Sequence, residues 1–309
     1  MADDNLNNKD LSFDQIREII KKLAILGVQR IRLTGGEPLY RKDIIHIVRI
    51  ASNIFKEFSL FSNLTISNHD ILREIITFEP RIFWTTLLDH RPYSHDTLVN
   101  KSGSQKLTVA SINYLIKHDV DVGVQIPISK YNYSSLYQSL KFIQELGVET
   151  IKILPIFPTG RALSNIDKLC VNIAWEQILK ICSLQDFALT NYSKIIISTY
   201  ASKENRESQL PECIGGINKI LNIDHKGNVF PCCVLMGNKN FSLFNMLDLN
   251  FKEQYKKYSI AGREKNIHNA KSPQTLNSIC PVFSRKINNS SVNWNGCPLQ
   301  YITIKSGEK

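Results

Sequence analysis

Apolar positions in the first half of the chain recur with two alternating spacings, and that alternation sets the expected architecture. Between Ser12 and Leu26, Phe13, Ile16, Ile19, Ile20, Leu23 and Leu26 return every three or four residues, the spacing of one helix face. Ser12 and Gln15 make a capping-box start, and Gly27 supplies the stop. The apolar run Val28–Leu33 then reads as a short buried strand. The pairing repeats. Helix Asp43–Phe55 precedes strand Phe58–Asn63, and helix Asp70–Phe78 precedes strand Ile82–Leu88. Helix Lys106–Lys117 precedes strand Val120–Ile128, and helix Ser134–Leu146 precedes strand Thr150–Ile156. A period of roughly 30 residues, one helix and one strand each, is that of βα units rather than of a helical solenoid. It predicts an α/β fold on a parallel sheet, with ligands at the C-terminal ends of the strands.

Beyond residue 156 the pattern loosens. One further helix and a strand, Lys194–Thr199, are expected between Trp175 and Tyr200, and the polar stretch Ser202–Pro211 reads as a linker. From Cys213 the texture changes to short strands, turns and cysteines. Two domains are therefore expected, 1–200 and 201–309. Within the second, Ile220–Phe230 (ILNIDHKGNVF) alternates apolar and polar residues about a Lys-Gly turn, as a β-hairpin does.

Composition narrows the class. With 309 residues and 43% hydrophobic content, the chain can bury a large core. The start, MADDNLNNKD, is polar and acidic, unlike a secretory signal. No apolar run approaches the roughly 20 residues that span a bilayer, so a cytoplasmic protein is expected. The net charge is +10. Because the basic residues are scattered rather than gathered in a stripe, a nucleic-acid partner is not favoured. All seven cysteines lie in the second half, five of them from Cys213 onward, which suits a metal site better than a disulfide framework.

The candidate chemistry begins at Ile31–Asp43, IRLTGGEPLYRKD. A strand ends in two glycines, an acid and a proline, and a helix follows at once. Glycines let backbone approach a ligand closely, and proline stiffens the exit. This turn resembles the GGEP element of the radical SAM superfamily, which lies after the second barrel strand and holds the methionine end of S-adenosylmethionine. Further stretches agree. Phe61–Leu64 (FSNL) resembles the family's TNG element, with leucine at the glycine position. Trp84–Asp96 (WTTLLDHRPYSHD) resembles the element after the fourth strand: Asp89, His95 and Asp96 match, Leu87 occupies a serine position, and His90 replaces glycine. Thr86 is the nearest hydroxyl. Gly103 and Ser104 fit the next turn, Ile126–Asn132 the fifth-strand exit, and Leu154–Ala162 the sixth, where apolar side chains bracket adenine.

The resemblance implies a partial parallel (β/α) barrel missing its first strand, and it implies cofactor contacts at Gly35, Gly36, Glu37, Pro38, Ser62, Asn63, Thr86 and Leu154. In such enzymes a reduced [4Fe–4S] cluster splits S-adenosylmethionine, and the resulting radical takes a hydrogen from substrate; the protein orients and shields the reactants. The family places a C-x3-C-x2-C cluster loop before the GGEP turn. No cysteine precedes Cys170 here, so this chain alone is expected not to hold that cluster or to fire, and its S-adenosylmethionine site is incomplete.

Cys213, thirteen residues, Gly227, four residues and Cys232 resemble the opening of the SPASM and twitch modules, small α+β units carrying auxiliary clusters. A hairpin sets its two ends side by side, so Cys213 and Cys232 can share a metal, with Cys280 and Cys297 completing four thiolates. One auxiliary [4Fe–4S] cluster is expected. A zinc site is the rival, although the C-x2-C knuckle usual for zinc is lacking, and unligated cysteines are the third reading. Cys170 and Cys182 read as small buried hydrophobes, and Cys233 faces away from Cys232.

Only eleven residues precede the Ser12 helix, without a strand pattern, and that leaves the Val28–Leu33 edge able to recruit another strand. Three explanations stay open: an interrupted gene, a separate complementing N-terminal fragment, or a non-catalytic relative binding a peptide. The first is preferred, since the downstream elements persist with no replacement strand. A ribosomal peptide substrate is implied by the resemblance alone.

Overall fold

The first six strands of the major sheet lie in chain order, with a helix between each of them and the next. The computed structural model describes residues 10–156, 165–169, 194–199, 220–233, 236–237, 239–259 and 300–304. The elements are α1 (Phe13–Ile25), β1 (Arg30–Leu33), α2 (Ile44–Ile54), β2 (Glu57–Phe61), α3 (Asp70–Ile76), β3 (Ile82–Thr86) and α4 (Pro92–Val99). They continue with α5 (Ser104–Lys117), β4 (Val122–Ile128), α6 (Leu136–Glu145), β5 (Thr150–Pro155), the one-turn α7 (Ile166–Leu169) and β6 (Lys194–Thr199). β7 (Asn222–Ile223), β8 (Asn228–Phe230), β9 (Phe244–Asn245), a helix over 251–259 and β10 (Gln300–Ile304) complete the set. Two compact units result, each discontinuous in sequence: Arg30–Thr199 with Tyr301–Lys309, and Met1–Gln29 with Tyr200–Gln300. The sequence pattern places a single division, at residue 200, whereas the N-terminal residues group with the second unit.

In the larger unit the sheet order is β1-β2-β3-β4-β5-β6-β10, and β1 to β6 pair in parallel. Every crossover from β1 to β5 steps the same way across the sheet. Right-handed crossovers therefore put α2 to α6 on one face. That face is apolar apart from Thr85, which is buried on it in register with Val124. Phe58, Leu60, Phe83, Val124, Ile126, Ile151 and Ile153 project there in register and are buried, and Ile47, Val48 and Ala51 of α2 are buried likewise. A fully buried Phe83 or Leu60 contributes about 2–3 kcal/mol of transfer free energy. The opposite face carries Arg32, Ser59, Phe61, Trp84, Thr86, Gln125, Lys152 and Leu154, as the period of two demands. On it Phe61 stacks on Trp84, with centroids 5.8 Å apart and planes 13° from parallel. Gly123, in register with Trp84, leaves room for the indole: a Cβ there would lie 2.6 Å from the ring.

The smaller unit joins α1 to the hairpin strands. The capping box forms as expected: Ser12 Oγ accepts from Gln15 N and Gln15 Oε1 from Ser12 N. Lys22 Nζ donates to the carbonyls of Met246 and Asp248, pairs with Glu18, and lies 4.9 Å from the centroid of the Phe251 ring. β7 and β8 pair antiparallel in the expected hairpin, and β9 adds to β8. Asp224 closes its turn, its carboxylate accepting from Lys226 N and Asn228 N. Gly227, at φ +84°, has the Asn245 side chain 2.9 Å from where a Cβ would stand, so only glycine fits.

Two elements depart from expectation. α4 occupies Pro92–Val99, where no helix was read; its apolar residues show no helical periodicity, and it is defined by Pro92 at its first turn and by its packing on α5. β10 joins the major sheet although a second-module segment was expected there.

Candidate functional site

The C-terminal ends of β1 to β4 each open into a loop held by its own side-chain network. After β1, Thr34, Gly35 and Gly36 are exposed, and a Cβ at either glycine would meet no atom within 4 Å, so bare backbone borders open space. Glu37 then caps the one-turn helix Pro38–Tyr40, accepting from Leu39 N at 3.1 Å. The same Oε1 accepts from Ser62 Oγ at 2.7 Å, and Oε2 from Asn63 N at 2.7 Å. The Glu37 carboxylate thus ties the exit of β1 to that of β2. Pro38, fully inside the loop, is buried.

Ser62 Oγ also accepts from Leu64 N, while Asn63 Oδ1 accepts from Thr65 N and Thr65 Oγ1. Leu64 stands where the resembling family has glycine, and it keeps glycine's conformation, φ +54°. A left-handed leucine costs about 1 kcal/mol or more, offset here by complete burial. Thr108 and Ser111 of α5 donate to the Asn63 and Leu64 carbonyls, which fixes this loop from outside.

At β3 the strand period separates Thr86 from Leu87. Leu87 is fully buried on the helix-covered face, whereas Thr86 lies with Trp84 and Gln125 on the other. Beyond it Asp89 is wholly buried and accepts from Arg91 N, Nε and Nη2 and from Ser135 Oγ, at 2.6–3.0 Å. Burial opposes its charge, but the hydrogen bonds from Arg91 and Ser135 prevail and hold the carboxyl below its usual range. Arg91 is pushed up by the same bond. His95 Nδ1 accepts from Leu88 N at 3.1 Å, which places the ring proton on Nε2, toward Ser104 Oγ. Its pKa is lowered by burial, partly countered by Asp96 and Asp89. Asp96 accepts from Gly103 N and Gln105 N and so caps α5. The matched trio Asp89, His95 and Asp96 is therefore the frame of the β3 exit.

After β4, Asn132 is buried and bridges two strands: its Nδ2 donates to Leu88 O and Pro127 O, and its Oδ1 accepts from Ser129 N. Periodicity gives no sign of Asn132, Ser135 or Arg91: Asn132 and Ser135 act on Leu88 and Asp89, 44 and 46 residues away, and Arg91 acts on Asp89 two residues before it, within a loop that has no periodic stripe. Only the Asn and Ser of the SKYNYSS loop hinted at turn-forming side chains. Leu154 is buried on the face shared with Thr86, and residues 157–164 lie outside the described residues.

The eight candidate cofactor residues thus gather at one end of one sheet. The four candidate metal ligands are less completely placed. Cys232 follows β8 and is half-buried, with Cys233 exposed beside it; Cys213, Cys280 and Cys297 lie outside the described residues. Among the described residues no group of three or more His, Cys, Asp or Glu is arranged to hold a metal. No helix there is long and apolar enough to cross a membrane.

Comparison with known proteins agrees with this geometry. The AdoMet-dependent heme synthase of Methanosarcina barkeri is 24% identical over 247 residues, covering 74% of this chain and 70% of that protein. The PqqA peptide cyclase of Rhodopseudomonas palustris is 24% identical over 230 residues, covering 72% of this chain; the chain spans only 59% of that relative. Among solved structures, Streptococcus suis SuiB bound to precursor peptide SuiA superposes with a TM-score of 0.66 at 12% identity, covering 90% of this chain and 65% of SuiB, which shows a shared fold. The Radical SAM superfamily itself matches residues 3–158, the stretch that holds the GGEP turn and the strand exits just described. With half of its length so matched, the chain belongs to the radical SAM superfamily.

Proposed function

We propose that this chain is part of a radical SAM protein that modifies a peptide or protein substrate, with an auxiliary metal module of SPASM or twitch type in residues 201–309. The observation that carries the reading is the Gly35–Gly36 edge, bare backbone bordering open space at the C-terminal end of the sheet. It suits the amino-acid end of S-adenosylmethionine, with Thr86 the hydroxyl on the same side as Trp84 and Gln125. When bound, the cluster and S-adenosylmethionine together supply one-electron chemistry at a substrate C–H bond. The chain's own part is to hold the exits rigid: Glu37 clamps β1 to β2, Asp89 and Asn132 clamp β3 to β4, and Leu154 gives the open face an apolar residue beside them. A peptide substrate is supported by the PqqA peptide cyclase and by SuiB with its precursor peptide.

The residues before the GGEP turn do not fit an iron–sulfur cluster, because they include no thiolate. On the catalytic reading a separate segment would supply the cluster thiolates, and the β1 edge is where a completing strand would pair. Incubating the reconstituted chain with S-adenosylmethionine and dithionite is expected to yield no 5′-deoxyadenosine above background. Adding a segment that carries the C-x3-C-x2-C spacing and an edge strand restores it. Cleavage by the chain alone overturns this account. Gly36→Val is expected to abolish S-adenosylmethionine binding in equilibrium dialysis. Iron and labile sulfide are expected in the chain and lost in Cys213→Ala with Cys232→Ala; stoichiometric zinc would assign the module to a structural zinc site instead.

A non-catalytic peptide-binding role is the second reading, and the same missing thiolates favour it. Turnover with the supplied segment separates the two.

A further inference from the structure

Among the described arginines, one is used differently from the rest. Every other one lies within 4.0 Å of a carboxylate, from Arg17 on Asp14 to Arg91 on Asp89. Arg32, on β1, has no such partner among the described residues. It is exposed, and its guanidinium carbon lies 5.9 Å from the centroid of the Phe61 ring. The carboxylates of β1, β2 and their exits are committed elsewhere. Glu57 is taken by Arg30, Glu37 by Leu39, Ser62 and Asn63, and Asp43 by Arg41.

The surface beside this cation is aromatic. Arg32, Phe61 and Trp84 project from β1, β2 and β3 on the face opposite the helices. The two half-buried rings stack, and Gly123 lets the indole lie against the sheet. The order across three strands is therefore guanidinium, phenyl, indole. The guanidinium leans inward over β2 rather than outward across the β1 edge. Ser62 N donates to Trp84 O at 2.9 Å, which fastens this floor under the Glu37–Ser62 junction. Gly35 is three residues beyond Arg32, about 10 Å along the strand.

We propose that Arg32, Phe61 and Trp84 form a substrate subsite that takes an aspartate or glutamate side chain flanked by an apolar residue. The inference rests on the peptide reading above and adds which residue type is held beside the cofactor. An arginine seated on an aromatic face keeps its forked donors available for a carboxylate, and the rings receive the apolar neighbour.

The test is fluorescence anisotropy on the full chain with three labelled ten-residue peptides of alanine and leucine. Each carries one central pair, Phe-Glu, Phe-Gln or Phe-Lys. Calorimetry with 3-phenylpropionate and with inorganic pyrophosphate supplies two small probes. The glutamate peptide is expected to bind about tenfold tighter than the glutamine peptide. Arg32→Gln is expected to cut that preference below about twofold, and Arg32→Glu to turn it toward the lysine peptide, a gain that misfolding cannot mimic. Arg30→Gln, two residues away on the same face, is expected to change Kd less than about twofold.

Equal binding of all three peptides, or a preference unmoved by Arg32→Gln, overturns the subsite and leaves the peptide reading standing. Arg32-dependent binding of 3-phenylpropionate without binding of any peptide does the reverse. Tighter, Arg32-dependent binding of pyrophosphate assigns the guanidinium to a phosphoryl group, and loss of S-adenosylmethionine binding in Arg32→Gln assigns it to the cofactor. Disappearance of the glutamate preference once the C-x3-C-x2-C segment is supplied assigns it to the added strand. Each of these three results overturns the proposal.

Discussion

At the N-terminal ends of the strands α1, α3, α5 and α6 all stop on a left-handed residue, with α2 the exception in its extended Phe55, whereas at the C-terminal ends no two exits are built alike. α5 ends with Asp119 at φ +56°, its N–H bonded to Ile116 O and that of Val120 to Leu115 O. α6 ends with Gly147 at φ +85°, bonded to Gln144 O, with Val148 N on Ile143 O. α1 repeats the arrangement with Gly27 and Val28. This is the Schellman cap, a left-handed residue followed by an apolar one, made from backbone alone. α3 uses Glu79 at φ +54° and stops at Pro80, which has no N–H to continue the pattern. The exits of β1 to β4 instead depend on side chains, namely Glu37, Ser62, Asn63, Asp89, His95 and Asn132. A generic stop tolerates many sequences; a side-chain clamp commits named residues. The committed end is the one where cofactor chemistry is proposed.

That contrast ranks the expected effects of substitution. Asp89→Ala should be the most damaging, leaving the backbone N–H of Arg91 without its acceptor inside the β3 exit and Ser135 Oγ with only the Asn132 carbonyl. A loss of about 3 kcal/mol is expected from the denaturation midpoint. A value near that of a surface change would erase the distinction between the two ends. Gly123→Ala comes next. Its Cβ meets the Trp84 ring, so a cost of about 2 kcal/mol should accompany a changed tryptophan near-ultraviolet signal as the Phe61–Trp84 stack shifts.

The titrating groups give a smaller, pH-resolved effect. His95 has a lowered pKa, so the unfolded chain takes up its proton first as pH falls. Stability is therefore full above about pH 6.5 and declines below it until the folded-state value is passed. His95→Asn, which keeps an acceptor for Leu88 N, should flatten that slope in urea titrations across pH 5–7. Asp89, lowered in the folded state, adds a second decline at more acid pH, beginning near the unfolded value of about 3.9 and running downward. At the other end, Arg81→Ala removes only the exposed ion pair with Asp121. About 0.5 kcal/mol is expected, vanishing in high salt. A large effect there would show that the N-terminal end is also specialised.

Much of this fold was legible along the chain because its signals are local. The capping box at Ser12 and Gln15, the 3.6 spacing of α1, α2 and α6, and the hairpin about Asp224–Gly227 are all set by neighbours within a few residues. α4 was missed because its helix is defined by Pro92 and by contact with α5, not by a periodic stripe. The same holds for the site. The GGEP turn, the Ser62–Asn63 pair and Asp89, His95 and Asp96 stand out as residue types in a resembling order. Nothing in that order reveals that Glu37 spans 25 residues to Ser62, or that Asp89 takes Ser135 from 46 residues away.

The sequence by itself determined the alternation of helices and strands, and hence a parallel sheet with one apolar face, since both follow from short-range spacing and burial. It also placed the glycine edge at a strand exit. Tertiary structure decided which side chains are spent on the frame and which face outward. It put Leu87 in the core and Thr86 on the opposite face, and it buried Asp89 while leaving Arg91 exposed. Such choices depend on which distant groups meet, and loop residues of similar composition carry no local mark of their eventual partners.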